Sequence, residues 1–183
     1  MVIPTLESLK QSAQSLKSFP SYLTEVDSAL VVFASAFFGL SDVIYFVGVE
    51  NVCLVDNDIE KMNLMKDIYP PSWDFIVDDA FKIISDFVSQ GINYDVVSCD
   101  PWTPTIPRVL IDEFDKFYEV AEKYLVIRAT GNSFFMKNNI EPNEVQIAKF
   151  LSSRHQKDIK VKQLIKDCGF DGGSYKIVIE KGE

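Results

Sequence analysis

Short apolar runs alternate with longer amphipathic segments along most of the chain. Five runs are rich in β-branched and aromatic side chains, which is typical of buried strands; they occupy residues 29–33, 52–55, 73–77, 94–99 and 124–129. Three segments with apolar side chains at helical spacing lie between them, at residues 58–69, 81–88 and 108–123. This alternation predicts an α/β fold, a doubly wound, mostly parallel sheet with helices on both faces.

The two ends of the chain and the first crossover follow less regular patterns. Residues 1–28 predict a short N-terminal helical leader, with a helix over 5–16 and a short helix or turn over 22–27. Ser41 or Asp42 is a candidate N-cap for a helix that ends at Val49. The C-terminal part predicts a short strand at 133–136, helices at 144–151 and 159–168, and an edge strand at 174–180. We expect one domain over 1–183, with the sheet-forming core over 29–183.

Composition narrows the class of protein. The chain has 183 residues, 47% of them hydrophobic, and a formal net charge of -9, so the whole molecule should repel a polyanion. No apolar run approaches the ~20 residues that cross a membrane, and the N-terminus lacks the pattern of a signal peptide. Three cysteines without metal-type spacing favour reduced thiols and a cytoplasmic location. Cys53 and Cys99 fall in predicted buried strands.

Candidate binding residues follow the predicted strands where those strands end. The small-residue turn after the first strand contains Ser35, Ala36, Phe37 and Gly39, and Asp56-Asn57 follows the second strand. Asp79-Ala80 and Asp100-Pro101-Trp102 follow the third and fourth strands. Open α/β sheets bind ligands at this carboxyl edge, and an acid that ends the second strand can hold a ribose hydroxyl. Solvated loop acids are the alternative interpretation.

The order of these segments resembles the class I S-adenosylmethionine-dependent methyltransferases, which have a Rossmann-like fold. VVFASAFFG stands where that family has its first strand and glycine-rich motif, and LVDND where it has the ribose-binding acid. VDDAF resembles the segment that contacts adenine, and SCDPW resembles the Asp/Asn-Pro-Pro-aromatic motif of amino-group methyltransferases. IKDCGFDGGSYKIVIEK resembles the closing helix, glycine and strand.

The resemblance implies S-adenosylmethionine as the cofactor. Its implied cofactor-binding residues are Ser35, Ala36, Phe37, Gly39, Asp56, Asn57, Asp79 and Ala80. The implied catalytic residues are Asp100 and Pro101, which would accept hydrogen bonds from a substrate amine, and Trp102, which would stack on a planar acceptor such as a nucleobase. Trp102 as a cover for the sheet edge is an equal alternative.

The chain also departs from the family pattern. Phe33 or a neighbour replaces an acid near the end of the first strand, the turn keeps only Gly39, and the fourth motif has one proline. The sheet would lack one of the usual seven strands unless residues 133–136 supply it. A catalytically silent methyltransferase-like binding or assembly subunit is therefore a second hypothesis. A nicotinamide-dependent dehydrogenase is a poorer third, because the three-glycine fingerprint is absent.

A basic segment runs from residue 149 to 166. It carries Lys149, Arg154, Lys157, Lys160, Lys162 and Lys166 against one acid, Asp158. Such a segment could contact the phosphates of a nucleic acid, although a solvated helix face is the favoured interpretation. We expect the single histidine, His155, to be solvated. The sequence supports neither a Ser-His-Asp triad nor a metal site.

Overall fold

A computed structural model gives the fold of the chain. It describes residues 20–34, 42–46, 48–101, 103–129, 132–167 and 174–182. The predicted helix at 5–16 and the third cysteine, Cys168, lie outside these residues. The short helix or turn predicted at 22–27 is a 3-10 helix at Ser21–Thr24.

Seven strands of the described residues form one sheet. In chain order they are Ser28–Val32 (β1), Asn51–Asp56 (β2), Asp74–Val77 (β3), Tyr94–Cys99 (β4), Ala121–Ala129 (β5), Lys160–Asp167 (β6) and Ser174–Glu180 (β7). Their order across the sheet is β3-β2-β1-β4-β5-β7-β6. The first five strands pair in parallel, and β7 is antiparallel to both β5 and β6. The prediction of a mostly parallel α/β sheet is confirmed.

Helices cover both faces of the sheet. The α-helices are Ile59–Ile68 (α1), Ala80–Gln90 (α2), Phe114–Val120 (α3), Asn132–Lys137 (α4) and Glu144–His155 (α5). Shorter helical segments are the 3-10 helices Ser21–Thr24, Asp42–Phe46 and Thr103–Thr105 and the π-helical turn Arg108–Asp112. One face packs against α2, the π-helical turn, α3, α4 and α5. The other face packs against α1 and the first two 3-10 helices.

The strands divide their side chains between these two layers because successive residues of a strand point to opposite faces. In β1, Leu30 and Val32 belong to one buried layer, and Ala29 and Val31 belong to the other. All four are at most 1% exposed, so β1 is buried on both faces. A continuous apolar run is the expected sequence of such a central parallel strand. Cys53 and Cys99 are buried strand residues, as predicted, and burial raises the pKa of the Cys53 thiol to about 11.

Side-chain caps start the main helices. Asp58, Asp79 and Asn143 each accept a hydrogen bond from the backbone N–H three residues ahead, at Lys61, Lys82 and Gln146. Each bond satisfies a backbone donor that the first helical turn leaves without a partner. The predicted helix over 58–69 is therefore confirmed as α1, and the one over 81–88 as α2.

Two predicted helices are shorter in the structure. The helix expected over 108–123 is a π-helical turn followed by α3, which ends at Val120 because Ala121 already pairs with Tyr94 as the start of β5. The helix expected to end at Val49 is a 3-10 helix that ends at Phe46. Its proposed cap Ser41 lies outside the described residues, and Asp42 belongs to the helix itself.

The predictions for the C-terminal third were wrong in three places. Residues 133–136 belong to helix α4, and residues 160–167 form strand β6 where a helix was expected. Val161, Leu164, Ile165 and Cys168 have helical spacing, and an irregularity between Val161 and Gln163 offsets the alternation that would indicate a strand. The seventh strand is thus β6, which occupies the edge and leaves β7 inside the sheet.

No helix in the described part of the chain is long and apolar enough to cross a membrane.

Gly91 ends helix α2 in a left-handed conformation, with φ +66°. We expect Gly91→Ala to lower the free energy of unfolding by about 1 kcal/mol, because a Cβ is disfavoured at this φ. No neighbouring atom would contact that Cβ within 4 Å, so backbone strain is the expected cause. Gly48→Ala is the matched control, since an added Cβ also meets no atom there and Gly48 has no left-handed φ. Urea unfolding of both variants measures the difference, and equal stabilities would contradict it.

Candidate functional site

The carboxyl ends of the central strands meet at one edge of the sheet. Beyond the strands, the amide of Phe33 donates to the Val55 carbonyl at 2.9 Å, and the amide of Asp100 donates to the Val32 carbonyl at 3.3 Å. The amide of Asp78 donates to the Asp56 carbonyl at 3.2 Å. These bonds continue the ladders into the loops. They bring the predicted residues Asp56, Asp79 and Asp100 to the same edge.

Asp56 is the last residue of β2 and is 7% exposed. Its Oδ1 accepts a hydrogen bond from the Asp58 amide at 2.9 Å, which fixes the carboxylate at the entrance to α1. Asp58 in turn caps α1 and pairs with Lys61 at 2.9 Å. Asn57, between the two acids, is exposed. The chain therefore holds a nearly buried, oriented carboxylate at the end of the second strand.

Asp79 is exposed and caps α2, and the next residue, Ala80, is buried as the first residue of that helix. Asp78 pairs with Lys82, whose hydrogen bond lowers the pKa of the Asp78 carboxyl. Two large apolar side chains are exposed at this part of the edge. Val77 lies beside Asp56 in the β2–β3 register and is 37% exposed, and Ile59 at the start of α1 is 60% exposed.

Asp100 forms a buried ion pair that the sequence analysis did not identify. Its Oδ2 accepts a hydrogen bond from Nη1 of Arg128 at 2.8 Å, and the two residues are 2% and 9% exposed. Arg128 comes from β5, beside β4 in the sheet. Across the β5–β7 ladder it lies opposite Lys176, which is 1% exposed and whose Nζ is 5.4 Å from the centroid of the Tyr45 ring.

The signal for this pair was present in the sequence as charged residues inside apolar strands. Arg128 interrupts the run YLVIRA, and Lys176 interrupts the run SYKIVIE. A cation flanked by buried aliphatic residues costs free energy unless it meets an acid, so such a position predicts a partner. Sequence alone does not identify which acid that is.

Aromatic and cationic groups stack at the β1 end of the same edge. Phe33 follows β1 with φ 62°, which is unfavourable for a bulky residue. Its ring is 5.8 Å from the Phe81 ring, centroid to centroid, in an edge-on arrangement. The guanidinium carbon of Arg108 lies 3.6 Å from the centroid of Phe81. We refer to Phe33, Phe81 and Arg108 as the aromatic–arginine stack.

Several predicted site residues lie outside the described part of the chain. These are Ser35, Ala36, Phe37 and Gly39 of the first turn and Trp102 of the fourth motif. Their roles stay predictions. Pro101 is described and buried. Among the described residues, no group of three or more histidine, cysteine and acidic side chains could hold a metal ion.

The prediction that His155 is solvated was wrong. Its side chain is 5% exposed, and its ring stacks on Phe114 with centroids 4.4 Å apart. Nε2 lies 3.0 Å from the Leu110 carbonyl, and Nδ1 lies 3.4 Å from Oδ2 of Asp115. The histidine therefore attaches the end of α5 to the π-helical turn and to α3.

The basic segment is divided between helix α5 and strand β6. Lys157 pairs with Asp115 at 2.6 Å, and Lys160 and Lys162 both pair with Glu180. Glu180 lies opposite Tyr124 in β5, well before that strand reaches the carboxyl edge at Ala129. Three of the six cations are thus engaged by acids, and Lys160 and Lys162 lie toward the end of the sheet opposite the candidate site.

No protein-family model and no curated protein sequence matches the chain. Solved structures do match it, among them methyltransferases and fibrillarins. An O-methyltransferase from Bacillus cereus in complex with SAH aligns over 99% of this chain and 94% of its own, with 11% identity and a TM-score of 0.63. The fibrillarin pre-rRNA processing protein of Methanococcus jannaschii aligns over 90% and 70%, with 18% identity and a TM-score of 0.61.

The chain is shorter than some of these proteins. A protein from Streptococcus mutans, described as an S-adenosylmethionine-dependent methyltransferase, aligns over 98% of this chain and 50% of its own, with 12% identity and a TM-score of 0.60. The chain spans 45% of another methyltransferase that was solved with SAH. At these identities the matches establish the fold, which is the Rossmann-like fold of S-adenosylmethionine-dependent methyltransferases.

The Asp100–Arg128 pair generates a stability prediction. We expect Asp100→Asn to lower the free energy of unfolding by about 3 kcal/mol, because it removes the charge that Arg128 faces within the protein. Lys82→Ala, which breaks the exposed Lys82–Asp78 pair, should lower the free energy of unfolding much less, because water screens that pair. Urea unfolding compares the two variants. Similar losses would show that burial does not set the strength of the Asp100 pair.

Proposed function

We propose that the protein binds S-adenosylmethionine at the carboxyl edge of its sheet and transfers the methyl group to an amine. The observation that carries this proposal is Asp56, a nearly buried carboxylate at the end of β2 whose Oδ1 is held by the Asp58 amide. In a Rossmann-like fold an acid at this position can accept hydrogen bonds from ribose hydroxyls. The fold shared with the methyltransferases supports the choice of cofactor.

The surroundings of Asp56 suit the rest of a nucleoside. The exposed apolar side chains of Ile59 and Val77 flank the acid, and an adenine ring packed there would cover surface that is now open to water. Ala80 follows Asp79 at the start of α2, where it is a small apolar residue of the core. Together these residues offer apolar contact beside one polar anchor, which is the usual composition of a nucleoside pocket.

The bound cofactor would supply a methyl group on a sulfonium: the C–S bond would break as the C–N bond to the amine forms, the sulfur would leave as a neutral thioether, and the amine's proton would pass to water. The residues of the chain would position the acceptor, since alignment of the reacting atoms to about 3–3.5 Å provides much of the rate enhancement in such transfers. The carbonyl of Pro101 would accept a hydrogen bond from the acceptor amine. Asp100 would also face the amine, and its bond to Arg128 would keep the carboxylate and the following loop in place.

The acceptor we favour is a planar amine, either a nucleobase or another small aromatic compound. A long nucleic acid is less well supported, because the molecule carries a net charge of -9 and acids engage three cations of the basic segment. The single planar ring of a small acceptor needs no extended basic surface. Transfer of a labelled methyl group from the cofactor to each of a panel of heteroaromatic amines would test this part of the proposal.

A silent binding subunit is the competing hypothesis, and the apolar side chain of Phe33 is the feature in its favour. A phenylalanine stands where methyltransferases commonly carry an acid, so Phe33 would make no polar side-chain contact with the cofactor. The two hypotheses make different predictions about cofactor binding. Calorimetric titration of the whole chain with S-adenosylmethionine and S-adenosylhomocysteine separates them, because a silent subunit with a filled site binds neither.

The ribose assignment generates a sharper prediction. Asp56→Ala should weaken S-adenosylhomocysteine binding by about 2 kcal/mol, because two hydroxyl hydrogen bonds to a charged acceptor are lost. Asp67→Ala is the control, since Asp67 is an exposed acid on α1 and its loss changes net charge equally. Affinities within about twofold of each other for the two variants would place the cofactor elsewhere.

A further inference from the structure

We infer that Arg108 is a binding residue for the adenine ring of the cofactor, which stacks on the outer face of its guanidinium group. The inference rests on the proposed function and assigns a residue that the sequence motifs do not include. The observation behind it is the aromatic–arginine stack, in which the guanidinium carbon of Arg108 lies 3.6 Å above the Phe81 ring.

The position of the stack points to the adenine. Phe81 directly follows Asp79-Ala80, the segment whose counterpart in methyltransferases contacts adenine, and its ring meets Phe33 at the end of β1. The stack therefore lies at the end of β1, whose neighbour β2 ends in Asp56, the proposed ribose-binding residue. The proposed acceptor residues Asp100 and Pro101 follow β4, toward β5.

The geometry of the arginine suits a planar ligand. Phe81 is 8% exposed and makes edge-on contact with Phe117 at 6.0 Å, so its ring is fixed in the core. One face of the guanidinium rests on this ring, while half of the Arg108 side-chain surface is exposed. A guanidinium stacks flat on aromatic rings, and a purine on its outer face would complete a three-layer arrangement.

The ion pairs around Arg108 leave its guanidinium charge available to a ligand. Its Nη2 is 3.5 Å from Oε1 of Glu113, whereas Lys116 contacts Oε2 of the same carboxylate at 2.7 Å. The Lys116 hydrogen bond is the main reason that the pKa of Glu113 is lowered. The Glu113 carboxylate thus interacts mainly with Lys116. Its contact with Arg108 is long for a hydrogen bond.

Two backbone features mark the same place as unusual. Arg108 begins a π-helical turn, a rare geometry that occurs frequently at functional sites. Phe33, at the other end of the stack, has a φ of 62°, which is a conformation that bulky residues rarely adopt outside sites where the surroundings impose it. Each feature alone has structural explanations. Because the π-helical turn and the strained Phe33 both contact Phe81, from two sides, we take them together as favouring a ligand contact.

The test is calorimetric titration of the whole chain with two ligands, S-adenosylhomocysteine and adenosine. Arg108→Met keeps an apolar stem on Phe81 and removes the flat cation, and we expect it to weaken both ligands by about tenfold, because stacking of a base contributes that order of affinity. Arg108→Lys keeps the charge and loses the plane, so a similar loss is expected. Arg154→Met, an exposed arginine on α5, should leave both affinities unchanged.

The outcomes separate the two proposals. If the unsubstituted protein binds S-adenosylhomocysteine and the Arg108 variants match it, the cofactor site stands and Arg108 merely covers Phe81. If the unsubstituted protein binds neither ligand, both proposals are wrong. Melting temperatures of all variants are measured in parallel, and a lower melting temperature with unchanged affinities would also overturn the inference. Parallel losses for adenosine and S-adenosylhomocysteine would support it, because the adenosine moiety is what the two ligands share.

Discussion

The parallel pairing of β1 with both β2 and β4 is the constraint on which the candidate site depends. Ala29 is in register with Val52 on one side and with Val96 on the other, so three strands advance together and end at one edge. Because β1 is buried on both faces, a slip of register would exchange the two apolar layers and is opposed by the whole core. The carboxylates that follow β2 and β4 are thereby held at fixed places relative to β1.

The Asp100–Arg128 pair shows a different use of burial. Desolvation of two charges costs several kcal/mol per ion, so the pair contributes little net stability, although loss of one partner is expensive. What the pair does provide is a definite geometry, because a guanidinium contact at 2.8 Å aligns the loop after β4 with the end of β5. With Lys176 opposite Arg128 on β7, the edge carries acids toward β2 and β4 and cations toward β5 and β7. A ligand with charged groups of both signs, such as the proposed cofactor, would suit an edge that is polarised in this way.

Most elements in the first two thirds of the fold could be predicted because they are decided locally. A buried parallel strand is a short apolar run, and Asp58 and Asp79 cap the helices they precede, so periodicity and capping agree. In the C-terminal third, tertiary contacts decide. Residues 160–167 have apolar side chains at helical spacing and become β6 only because β7 supplies a partner and an irregularity shifts the alternation. His155 looked solvated because it lies in a basic segment, whereas Phe114 and the Leu110 carbonyl, distant in sequence, enclose it.

The places of Asp56, Asp79 and Asp100 were predictable because all three come at strand ends. The contact between Arg108 and Phe81 was not, because the two residues are 27 positions apart and only the crossover from β4 brings them together. The same contact bears on the acid that the sequence lacks after β1. A cofactor bound at this edge would have to be held by other groups. In this chain Phe33 takes up the strained position after β1 and packs on Phe81, and Phe81 in turn supports a flat cation at the same edge. Stacking on that cation would offset a lost polar contact, since each is of the order of 1–3 kcal/mol.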